Sequence, residues 1–115
     1  MKTDQTFAID FIIRSRKGKK TSALLYARVT VNGERKEISL KERIKSNDWY
    51  KAREMIRGSS VEVKKINRLI DHVRFRLKDK YRILSEKQCS ITAEAIKEAY
   101  LGIYVPQKSR INQPG

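Results

Sequence analysis

The chain has 115 residues, 35% of them charged and 39% hydrophobic, which suits one domain with a modest core. One histidine, His72, and one cysteine, Cys89, leave no room for an internal disulfide, a common zinc site or a His-centred catalytic triad, and the scattered acids form no obvious carboxylate pair. With 27 Lys and Arg against 13 Asp and Glu, the net charge of +14 points to a polyanionic partner.

The charge is not confined to a tail. Residues 1–58 carry 15 basic and seven acidic side chains, and residues 59–115 carry 12 and six, so the halves contribute +8 and +6. A solvated surface accounts for a few such charges. It accounts poorly for fourteen, because self-repulsion opposes compaction. Duplex nucleic acid is the favoured partner over acidic lipid. The opening MKTDQTFAID has no apolar core of a signal peptide, and no apolar run approaches the length of a membrane span, so a cytoplasmic location is expected.

Residues 7–14, FAIDFIIR, alternate as a half-buried strand does. Phe7, Ile9, Phe11 and Ile13 share one face; Ala8, Asp10, Ile12 and Arg14 share the other. A basic turn, SRKGKKT, follows around Gly18. A second strand is expected over residues 22–31, with Ala23, Leu25, Ala27, Val29 and Val31 inward. Asn32-Gly33 is a two-residue type I′ turn, because both its central positions need positive φ. A third strand, residues 34–40, completes a meander. The turn sets the register: Val31 opposite Glu34, Thr30 opposite Arg35, Arg28 opposite Glu37, Tyr26 opposite Ser39, Ala27 opposite Ile38 and Leu25 opposite Leu40. A slip by one residue would invert both faces.

Residues 41–58 are less regular. Ser46, Asn47 or Asp48 could cap a short helical turn over residues 49–55, ended by Gly58. Trp49, the only tryptophan, reads better as a core or lid residue over the sheet–helix seam than as a stacking platform. Ser59 and Glu62 then form a capping box. Val63, Ile66, Ile70, Val73, Leu77, Tyr81 and Leu84 follow at spacings of three and four, one apolar stripe along a long helix. His72 lies beside that stripe as a structural residue, and Cys89 lies in the following loop as a free thiol. A shorter helix starts at Thr92 and ends at Gly102, using Ala95, Ile96, Ala99 and Tyr100. The tail VPQKSRINQPG is polar and reads as a linker.

The fold class is therefore α+β: a three-stranded antiparallel β-meander packed on a long C-terminal α-helix, followed by a shorter helix. The domain spans residues 1–102, and residues 103–115 form a linker. One sheet face remains without sequence to cover it. Read as a solvated face, it holds an Arg28–Glu37 ion pair worth about 0–1 kcal/mol. Read as a tool, it enters a DNA major groove, which is about 12 Å wide and admits β-strands. Tyr26, Arg28, Thr30, Arg35, Glu37 and Ser39 would meet base edges or phosphates, flanked by a basic group of Arg14, Arg16, Lys17, Lys19 and Lys20. Asp10 is awkward there, since an acid repels phosphate; it either pairs with Arg28 or accepts from a cytosine amino group. The long helix offers further cations, Lys64 and Arg68 among them, for phosphate. No catalytic residue, metal ligand or cofactor site is expected.

The ordered set "FAIDFIIR", "LLYARVTVNGERKEISL", "SNDWY", "INRLID" and "ITAEAIKEAYLG" resembles the N-terminal arm-type DNA-binding domain of tyrosine recombinases, the integrases of phages and integrative elements, and most of all the Bacteroides-type integrases. The resemblance covers about residues 5–102. It implies a three-stranded sheet that enters the major groove of arm sites, with Tyr26, Arg28, Arg35 and Glu37 outward. It also implies a catalytic domain later in the chain, so that this portion is not itself an enzyme. A bacterial, nucleoid-associated location and contacts with other recombinase subunits and DNA-bending proteins would follow. Where the family has a Ser-Thr-Gly-type segment after the sheet, this chain has Leu40-Lys41-Glu42-Arg43, which leaves the path of residues 40–48 open. The rival readings are an RNA-binding module of ribosomal type, which here lacks an aromatic ladder, and a basic protein-interaction domain.

Overall fold

Asn32 and Gly33 both adopt positive φ, 50° and 89°, as the expected hairpin turn requires. Asn32 does more than turn the chain. Its Oδ1 accepts from the Thr6 backbone N–H at 2.9 Å, and its own N–H donates to Thr6 Oγ1 at 3.0 Å, so the hairpin tip is tied to the start of the neighbouring strand. The computed structural model describes residues 6–16, 18–87 and 91–103. Cys89 and the tail after residue 103 lie outside them.

Three antiparallel strands, β1 (Phe7–Arg16), β2 (Lys19–Val31) and β3 (Glu34–Lys45), form one sheet in the order β1-β2-β3. The register follows the turn: Val31 pairs Glu34, Thr30 pairs Arg35, Arg28 pairs Glu37 and Tyr26 pairs Ser39. Ala23, Leu25, Ala27, Val29 and Val31 are all buried, as their alternation implies.

Three strand bounds differ from expectation, the first being the end of β1 at Arg16, two residues past Arg14. β2 starts at Lys19, three residues before Ser22, because the basic turn around Gly18 is tight enough for the ladder to reach it. β3 does not stop at Leu40. Paired positions sum to 65 up to Tyr26–Ser39 and to 67 from Leu24–Arg43 onward, so β3 carries two extra residues in a bulge. Leu25 therefore lies opposite the bulge rather than on a Leu40 partner. Lys41 takes positive φ, 59°, with its N–H bonded to Ser39 Oγ at 3.2 Å. Because the shift is by two, alternation is preserved, and Ile44 lands on the core face opposite Ala23.

The expected helical turn over residues 49–55 is a small hairpin instead. A 3-10 turn, Ser46–Asp48, leads into β4 (Trp49–Tyr50), which pairs antiparallel with β5 (Met55–Ile56). Asn67, from the long helix, decides the matter. Its Oδ1 accepts from Ile56 N–H at 2.9 Å and its Nδ2 donates to the Ile56 carbonyl at 3.0 Å, so one side chain acts as a third strand on the open edge of β5. Ile56 is buried, so removing the amide would orphan two backbone groups. Asn67→Ala is expected to destabilise the domain by about 2–3 kcal/mol, read from the urea unfolding midpoint. A change under about 0.5 kcal/mol would contradict the clasp.

Helix α1 (Val61–Glu86) is capped by Ser60, whose side chain accepts from Val63 N–H, and not by Ser59. Two adjacent serines leave the sequence register ambiguous by one. With Ser60 as cap, Glu62 stays in the first turn near the positive end of the helix dipole rather than closing a box. Helix α2 (Ala93–Leu101) starts from Thr92, which accepts from Ala95 N–H, and ends at Gly102 with φ 82°.

Both helices cover the same sheet face. Along β1, the Tyr81 ring stacks on Phe7 with centroids 4.0 Å apart, and the Arg74 guanidinium sits 4.9 Å from the Phe11 centroid. Along β3, Glu34 Oε1 accepts from Ala93 N–H at 3.1 Å and Lys36 lies 3.6 Å from Glu94. One core joins Phe11, Leu25 and Val29 to Ile70, Leu77 and Ile96. Trp49 is half-buried against it, as expected of a seam residue.

Candidate nucleic-acid interface

Alternation that buries one face of β1–β3 exposes the other, and neither helix crosses it. Successive rungs of that outer face, read across β1, β2 and β3, are Ala8–Thr30–Arg35, Asp10–Arg28–Glu37, Ile12–Tyr26–Ser39 and Arg14–Leu24–Arg43. The Asp10–Arg28–Glu37 rung is thus framed by a rung that ends in the cation Arg35 and by an apolar–aromatic one.

The charged groups are not paired as register alone suggests. Arg28 and Glu37 are ladder partners, yet the ion pair expected between them is absent. Glu37 is taken by Arg14 from the far strand. The Arg14 guanidinium donates through Nε to Glu37 Oε1 at 3.0 Å and through Nη2 to Oε2, a two-point fork reaching over β2. On its way it passes the Tyr26 ring, 6.0 Å from the centroid. A planar guanidinium matches both carboxylate oxygens at once. That hydrogen bond, above all, holds the Glu37 carboxyl below its ordinary range, with the charges of Arg14, Arg28 and Lys97 adding to it and burial opposing. The same bond raises the Arg14 guanidinium.

Arg28 turns the other way, toward Asp10, but the contact is long, 3.4 Å from Nη2 to Oδ2. Its Nε–H is buried against the sheet with no hydrogen-bond partner among the described residues. Arg14 is therefore well satisfied and Arg28 poorly so.

Of the sequence-predicted site residues, Arg14, Tyr26, Arg28, Thr30, Arg35, Glu37 and Ser39 share this face. Ser39 is spent partly on the bulge, accepting from Lys41. Lys17 lies outside the described residues. Arg16, Lys19 and Lys20 are described by backbone only, at the end of β1 and the start of β2. Sequence reasoning missed Arg43 and Lys45, which the bulge keeps on the outer face and exposed. The signal was there in the alternation of Arg43, Ile44 and Lys45. Half-buried Ile12 and Leu24 were also missed as apolar neighbours of Tyr26. Among the described residues, Arg35, Arg43 and Lys45 make no ion pair.

On α1, Lys64, Lys65, Arg68, Lys78 and Lys80 make no ion pair among the described residues, but three other basic residues do find partners. Arg74 pairs with Asp71 and Glu54, Arg82 with Asp79 and Glu86, and Arg76 lies over the Tyr100 ring. These cations are used within the fold, on the side of the sheet away from the bare face. His72 is exposed. No helix among the described residues is long and apolar enough to cross a membrane, and no three His, Cys, Asp or Glu side chains among them cluster as metal ligands.

Comparison with curated proteins and with solved structures finds no match. One family model does match, that of an arm DNA-binding domain, over residues 11–97. The match takes in all of β2 and β3, the small hairpin and α1, and thus the whole bare sheet face except the start of β1. By sequence and by the three-stranded sheet it folds into, the chain belongs to the arm DNA-binding domain family.

Proposed function

We propose that the domain binds duplex DNA at arm-type sites by laying the outer face of β1–β3 in the major groove, and so tethers a tyrosine recombinase during integration and excision. The observation that carries this reading is the bare face itself: a paired centre bracketed by the unpaired cations Arg35, Arg43 and Lys45. Two inter-strand spacings make the backbone of a three-stranded sheet about 10 Å wide, which a groove about 12 Å wide accommodates. Arg28, Tyr26, Thr30 and Ser39 then face base edges, with Ile12 and Leu24 suited to thymine methyl groups. Arg35, Arg43 and Lys45, with Arg16, Lys17, Lys19 and Lys20 of the β1–β2 turn, meet phosphate. On this reading residues 1–102 are the binding unit, residues 103–115 lead toward a catalytic domain, and other recombinase subunits share the assembly.

Backbone NMR shift perturbation with a duplex of random sequence tests the proposal. The expected result is a set of shifts on β2 and β3 at Tyr26, Arg28, Thr30, Arg35 and Arg43, weakening as salt rises. Shifts confined to α1 would overturn the sheet-first reading. Displacement of the duplex by structured RNA at equal concentration would favour an RNA-binding module instead.

A further inference from the structure

We infer that Glu37 is a specificity-determining positioning residue: it holds Arg14 off the DNA backbone until a matched site is engaged. The inference rests on the proposed DNA reading and deepens it. Arg14 projects from β1 onto the outer face with a side chain 55% exposed, where an unengaged guanidinium would serve any phosphate. It is instead spanned across β2 and forked onto both Glu37 oxygens. Few other cations on this face are held so: Arg35, Arg43 and Lys45 have no carboxylate partner among the described residues.

The arrangement separates two kinds of affinity. Unpaired cations give attraction to any duplex, and every added phosphate contact raises both affinity and salt dependence without reading sequence. A cation already neutralised contributes little to that background. Glu37 also sits on the central rung beside Arg28, where a carboxylate repels a phosphate but can accept from a cytosine or adenine amino group. Burying the Arg14–Glu37 fork in a groove strips water from both charges, and a sequence that offers no base-edge replacement leaves that loss uncompensated. Guanine O6 and N7 offer Arg14 such a replacement. Selectivity then comes from an intramolecular competitor placed on the reading face.

The test uses the domain, a random-sequence duplex pool, and the duplex that the wild-type domain enriches from that pool. Glu37→Gln keeps the shape of the side chain and removes its charge. The variant is expected to bind the random pool about fivefold to tenfold tighter at 0.1 M salt, with a salt slope steeper by about one. The enriched duplex should gain less, so the ratio of the two affinities falls. In an Arg14→Ala background, any gain from removing the Glu37 charge should be shared equally by both duplexes, so Glu37→Gln should leave the ratio of the two affinities unchanged. A purely structural Glu37 would lower the melting temperature and weaken both duplexes alike, which overturns the inference. So would an unchanged ratio with Arg14 present, or a fall in the ratio that persists without Arg14. If the wild-type domain enriches no duplex at all, the DNA reading falls with it; if wild type discriminates and Glu37→Gln discriminates equally, only this inference falls.

Discussion

Replacing Leu77 with alanine is expected to remove about 2–5 kcal/mol of stability, seen as a drop in the urea unfolding midpoint at unchanged slope. Leu77 is fully buried in α1 and belongs to the core that also holds Phe11, Val29 and Ile96. The upper part of that range is expected, because the cavity has little to collapse into it. The same core offers Ala27, a side chain too short to move inward. A domain of this size holds about 5–15 kcal/mol in total, so one such change consumes a large share. Phe75, two residues earlier on the same helix, is the internal control. It is 67% exposed, and Phe75→Ala should change stability by no more than about 0.5 kcal/mol. Equal effects at both positions would mean that α1 is not seated on the sheet as described.

The stripe that contains Leu77 was legible because helical periodicity is a long-range repeat: seven apolar residues at spacings of three and four leave one phase for α1. The sheet was legible for a related reason. Alternation in β1 and β2, together with Asn32-Gly33, leaves one register in which both faces make sense. What failed was short or side-chain-dependent. Two-residue strands such as Trp49–Tyr50 carry no period, and the small hairpin exists because Asn67, eleven residues past Ile56, supplies its missing edge. The bulge at Lys41 hid the rest of β3, since a positive-φ lysine gives no sign that a glycine would have given.

The site divides along the same line. Which residues look outward follows from parity, and the structure places Tyr26, Arg28, Thr30, Arg35, Glu37 and Ser39 together on that face. Which charges pair does not follow. The ladder puts Arg28 against Glu37, but the Arg14 guanidinium on β1 reaches two strands away and forks onto both carboxylate oxygens, while Arg28 turns to Asp10. Register is a property of the backbone and can be read from the turn. Pairing among flexible side chains is settled by geometry several ångströms from any Cα.

Arg28→Ala is the prediction that most directly tests the reading face. Loss of about 1–3 kcal/mol in affinity for the enriched duplex is expected, with relaxed preference at one base pair, measured by titrating the duplex and its single-pair variants. The affinity for random sequence should fall much less. This contrast follows from how Arg28 is held. Its one contact, to Asp10, is long at 3.4 Å, and its buried Nε–H has no partner among the described residues. The free protein therefore satisfies this side chain poorly, and guanine O6 and N7 offer it more than Asp10 does. On the proposed reading Asp10 accepts from the amino group of the cytosine paired with that guanine, and Arg28 and Asp10 together read one G·C pair. Arg28→Ala and Glu37→Gln should then move selectivity the same way by opposite routes, one by weakening the matched site and the other by strengthening every other. Uniform weakening across all duplexes by Arg28→Ala would make it a phosphate ligand and would remove it from the reading face.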